Sequence, residues 1–80
     1  MTINVELELR EEVYRALVMI ADACSLAHQR RKTTTTHGPL DVVALLTMLA
    51  EDAALLHSRP GGWEAANMAI LLASHGYEVE

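Results

Sequence analysis

The chain is poor in cysteine, in aromatic side chains and in long uncharged apolar runs. A lone cysteine, Cys24, excludes an internal disulfide. Phenylalanine is absent, and one Trp and two Tyr are the only aromatic residues, so the apolar content is aliphatic: twelve Leu, twelve Ala and four Met. No apolar stretch of 18 residues is free of charge, and the N-terminus is polar and acidic. That pattern predicts neither a transmembrane span nor a signal peptide, and places the chain in the cytosol. Paired metal-ligand motifs are also missing, with His28, His37, His57 and His75 scattered over separate segments. Nor does a glycine-rich phosphate loop follow a strand: Gly61-Gly62 has no companion lysine. No cofactor is expected.

What is present is apolar. Of 80 residues, 51% are hydrophobic and 21% charged, which excludes a disordered tail. Such a length fits one small domain, residues 1–80, which buries only roughly 60–65% of its unfolded surface. Chains of this size often carry disulfides, metals or a partner. With the first two missing, a second copy of the same chain is the remaining device, and a homodimer is expected.

The net charge of −5 argues against general affinity for nucleic acid. Its distribution is uneven. Residues 1–22 carry −3 and residues 41–80 carry −5, whereas residues 23–40 carry +3 from Arg30, Arg31 and Lys32. A basic island in an acidic body can point at an anion while the rest of the surface repels it.

Residues 2–9 alternate strictly, with Thr2, Asn4, Glu6 and Glu8 on one face and Ile3, Val5, Leu7 and Leu9 on the other. Period two predicts a half-buried strand over residues 2–8. Its partner is either Tyr77-Glu78-Val79 or the same segment of a second copy. Residues 10–31 predict a helix whose inner stripe is Val13, Leu17, Ile20, Cys24 and Ala27, with Met19 and Leu26 on the opposite side. Lys32 to Gly38 breaks it. A second helix is predicted over 39–58 and read as the most buried element. A third spans 63–75, with Trp63, Ala66, Ile70 and Ala73 on one face and Gly76 as its C-cap.

Catalysis has little support. Cys24 and His28 lie one helical turn apart, but a nucleophile and base also need an orienting group and an exposed cleft. On an apolar stripe Cys24 reads as a small hydrophobe, and Trp63 as a core anchor. The chain is not expected to be an enzyme. The segment 30–38 is more suggestive, because cations and Thr hydroxyls precede a helix N-terminus with free N–H groups, a combination that suits phosphate. The plainer reading is cations complementing a helix C-terminus, followed by a solvated connector.

The order strand, helix, basic loop, helix resembles the ribbon-helix-helix family of DNA-binding dimers over about residues 2–56. The resemblance implies a mostly α fold in which an N-terminal strand pairs with its copy and enters the major groove. Three helices follow that strand here, one more than the core family has. It implies Thr2, Asn4 and Glu6 facing the bases, and Thr35, Thr36, His37 and Gly38 at the backbone contact. With the cations of the basic island, the expected DNA-binding residues are Thr2, Asn4, Arg30, Arg31, Lys32, Thr35 and Thr36. Ile3, Val5 and Leu7 would line the dimer interface, together with Met19 and Leu26. The fold-level alternative is a plain three-helix bundle. The function expected first is a small homodimeric DNA-binding transcriptional regulator, and the alternative is an acidic helical module that binds another protein and no DNA.

Overall fold

The computed structural model describes residues 1–31, 35 and 37–78, with Arg31 described by its helical backbone alone. Three helices make up the architecture of the described residues: α1 (Glu11–Arg31), α2 (Val42–Ser58) and α3 (Trp63–Ser74). Among the described residues there is no strand. The chain forms two compact units, Met1–Val43 and Ala44–Glu80, so the division falls in the first turn of α2.

The missing strand overturns the ribbon expected over residues 2–8, and with it the ribbon-helix-helix fold. The all-α arrangement is the one the alternative reading expected. The physical reason is a lack of pairing partners among the described residues. Residues 2–9 are all exposed and irregular, and strand geometry is sustained only when N–H and C=O groups find a ladder. The C-terminal candidate cannot supply one. The Tyr77 N–H is spent on the Leu72 carbonyl at 3.0 Å, and the Gly76 N–H on Ala73 at 2.9 Å. Those two bonds form a Schellman cap on α3, with Gly76 in the left-handed region at φ +89°. Val79 lies outside the described residues.

In the first unit, α1 begins where the Arg10 carbonyl accepts the Tyr14 N–H at 3.0 Å. Glu11 and Glu12 complement its positive end, and Glu11 pairs with Arg15 one turn on. The inner face of α1 is not the expected stripe. It keeps Val13 and Leu17 of that stripe, and beyond them is turned by one residue, running through Val18, Ala21, Ser25 and His28, with Ala21 buried. Ile20, Cys24 and Ala27 are exposed instead. Two polar side chains explain the rotation. Ser25 Oγ donates to the Leu40 carbonyl and accepts from the Leu40 N–H, both at 2.8 Å. His28 Nδ1 and Thr35 Oγ1 share a hydrogen bond of 2.7 Å, and that hydroxyl also accepts the Gly38 N–H at 3.0 Å. The connector is therefore tied to the inner face of α1. With both backbone groups of Leu40 held by Ser25, α2 starts at Val42 rather than at Pro39.

In the second unit, α2 buries Leu45 and α3 buries Ala65. Together with Ala21 these are the buried apolar residues of the described chain. Helix α2 is, as expected, the most enclosed of the three, with Val42, Ala44, Leu46, Met48, Leu55 and Leu56 half-buried around Leu45, although Val43 and Leu49 are exposed. Arg59 closes it by donating its N–H to the Leu55 carbonyl, and Gly62 then donates to Arg59 to complete the turn into α3.

Candidate functional site

The first unit presents two different sides of α1. On the inner side, Tyr14, Val18, Ala21 and Asp22 line a cleft of about 320 Å³ with residues 40–43. Tyr14 is half exposed and Asp22 exposed, so this is an open notch rather than an enclosed ligand chamber. On the outer side, Met19 is 73% exposed, Ile20 50% and Leu26 45%. Ala16, Ala23 and Ala27 complete that outer face, and all are exposed. Residues three and four apart on a helix are neighbours, so these side chains form one apolar strip. The N-terminal segment adds Ile3, Val5 and Leu7, also exposed.

The second unit repeats the pattern on α3. Ala65, Met68, Ala69 and Leu72 turn inward, while Trp63, Ala66, Ile70 and Ala73 turn out. Trp63 is 72% exposed and Ile70 67% exposed, so the stripe expected to anchor the core is the solvent side. Glu64 is the one charged residue of this helix. Asn67 and Ser74 share the outward side, so Trp63 and Ile70 are the large apolar members of a mixed face.

The structure also corrects the DNA-binding assignment. Thr2 and Asn4 sit on an irregular exposed segment, and no ribbon exists among the described residues to carry them into a groove. Arg30 is exposed on the last turn of α1, but the Thr35 hydroxyl is engaged by His28 and Gly38. Lys32, Thr36 and the Arg31 side chain lie outside the described residues.

The thiol of Cys24 is free and exposed, off the inner stripe on which it was expected. His28 directs Nδ1 to Thr35, so the imidazole serves the connector. No group of three or more His, Cys, Asp or Glu is placed to hold a metal among the described residues. Sequence reasoning singled out Met19 and Leu26 but missed Ile20 and the flanking alanines as surface. The regular spacing of Ala16, Met19, Ala23 and Leu26 was the available signal.

No family model matches the chain, and neither a curated protein nor a solved structure is similar to it.

Proposed function

We propose that this chain is an acidic helical protein–protein interaction module that works as a homodimer. One observation carries the reading. Among the described residues the buried apolar ones are Ala21, Leu45 and Ala65, whereas fifteen large apolar ones stand exposed. Isolated exposed apolar residues are ordinary, but aligned ones mark surfaces that bind other proteins. Alignment is what α1 and α3 have, each with an apolar strip pointing away from its own unit's buried residue.

The net charge of −5 supports a protein partner over nucleic acid. Ile3, Val5 and Leu7 alternate with Asn4, Glu6 and Glu8, so apolar contact here comes with a negative edge. A complementary partner offers an apolar groove with a basic rim. The cytoplasm suits such a module, since lone Cys24 stays a thiol there. No described helix is long and apolar enough to cross a membrane. The reading assigns binding and no catalysis.

The test places a photo-crosslinking residue at Val5 or Trp63 in the producing cell, with Gln29 as an exposed polar control. Discrete protein adducts from the apolar positions and none from Gln29 are expected. Equal, diffuse labelling at all three positions would remove the proposal. A column of duplex DNA provides the second arm. The chain should pass through unretained, and salt-sensitive retention would speak for a nucleic-acid partner instead.

A further inference from the structure

The outer strip of α1 runs Glu12, Ala16, Met19, Ala23, Leu26 and Arg30, at spacings of four, three, four, three and four. This alternation is the seam of a helix that packs lengthwise on another helix. It lies about 180° around the helix from buried Ala21, by the helical repeat of 3.6 residues. All six residues are exposed. From Glu12 to Arg30 the seam is about 27 Å long.

We propose that this seam is the surface on which a second copy of the chain packs, antiparallel, about a two-fold axis at the level of Ala21. The proposal rests on the reading of the chain as an interaction module and names one of its partners. Its argument is self-complementarity. Antiparallel pairing about that axis sets Glu12 opposite Arg30 of the second copy, Ala16 opposite Leu26, and Met19 opposite Ala23. Every large side chain meets a small one, and every charge meets its opposite. A two-fold interface repeats each of these pairs, so two acid–base contacts close the two ends. Alternating large and small residues is how facing layers interdigitate without voids.

The parallel arrangement fails on the same residues. Glu12 would face Glu12 and Arg30 would face Arg30, two like-charge contacts. Met19 would meet Met19 while Ala23 faced Ala23, a crowded layer beside an empty one. The helix dipoles also favour the antiparallel choice, since each acidic start lies beside the other helix's basic end. Within its own chain Glu12 pairs with Arg10 at 3.6 Å, both well exposed. An exposed pair of that kind holds its partners weakly, so exchanging it for Arg30 of the second copy costs little.

The experiment is sedimentation of the full chain over a range of concentrations, with helicity read by circular dichroism. A dimer is expected for the unaltered chain. Met19→Glu with Leu26→Glu should give a monomer of unchanged helicity. Glu12→Arg alone and Arg30→Glu alone each weaken association by roughly tenfold, because each creates two like-charge contacts. Both in one chain should restore it. These two positions are exposed, so the charge arm decides the matter even if the double glutamate variant unfolds.

A disulfide arm reads the direction, in a Cys24→Ser background. Met19→Cys chains mixed with Ala23→Cys chains should give a mixed disulfide, with little from either alone. A monomeric unaltered chain, a charge swap that restores nothing, or a Met19→Cys chain that links readily to itself would each overturn the pairing. Crosslinks at Val5 and Trp63 that persist after such a failure would leave the interaction module standing.

Discussion

Ser25 holds Leu40 by both of its backbone groups: one hydroxyl donates to the carbonyl and accepts from the N–H, at 2.8 Å each way. A side chain fifteen residues earlier thus does for the connector what a strand partner would do for a strand. It satisfies two main-chain groups at a partly buried position and stops them from entering α2. The same contact turns α1, since a serine that must reach Leu40 sets which face is inside.

Ser25→Ala should therefore destabilise the chain by about 1–3 kcal/mol, the range for leaving partly buried groups without their bonds. Urea denaturation followed by circular dichroism measures this. A midpoint equal to that of the unaltered chain would show that water replaces the hydroxyl at no cost. Ser74→Ala is the control, because its hydroxyl bonds only to the Leu71 carbonyl on an exposed turn.

Gly76 stands at φ +89°, where a Cβ is strained whatever space surrounds it. Gly76→Ala should cost about 1–2 kcal/mol through that strain alone. Gly61→Ala provides the contrast. Its φ lies outside the left-handed region and nothing lies within 4 Å of the new Cβ. The substitution there should be neutral or slightly stabilising, since it reduces unfolded-state freedom. Equal effects at the two glycines would mean that the cap on α3 is not formed in solution.

The second unit separates stability from surface. Leu45 is 5% exposed, so Leu45→Ala removes one of few buried side chains and should cost about 2–3 kcal/mol. Trp63 is the larger side chain, yet Trp63→Ala should change stability by no more than about 0.5 kcal/mol. Thermal unfolding of the two variants orders them. A larger loss at Trp63 would place its ring in a core and withdraw α3's outer face from the proposed interaction surface.

Three helices were legible because their signals are local. Helical periodicity runs through each, Gly61-Gly62 punctuates the turn before α3, and Gly76 carries the glycine cap its place implied. The strand was misread for a reason equally physical. Alternation over residues 2–9 reports which side chains share a face, but a strand also needs a neighbour, and Tyr77 had already given its N–H to Leu72. The faces of α1 and α3 were misassigned because apolar residues occupy more than one side of each. On α1 the deciding contacts are polar, from Ser25 and His28 to a connector many residues away. Hydrophobic pattern carries no trace of them. The surface strip was half legible, since Met19 and Leu26 stood out from the stripe, while the complementary order from Glu12 to Arg30 emerges only once the inner face is known.

Residues 1–9 bear on the proposed pairing of two copies. They are exposed throughout, and no hydrogen bond joins them to a described residue of the chain. The first bond of α1 is accepted by Arg10, which lies beyond them. A chain starting at Arg10 should therefore keep its helical signal, with stability within about 0.5 kcal/mol of the full chain. Every seam residue from Glu12 to Arg30 remains, so self-association should persist with nearly the same strength. Sedimentation and circular dichroism on the shortened chain test both statements at once. If the shortened chain is helical but monomeric, Ile3, Val5 and Leu7 hold the copies together and the seam on α1 does not. If it loses helicity, the segment braces α1 through contacts that its exposure does not reveal.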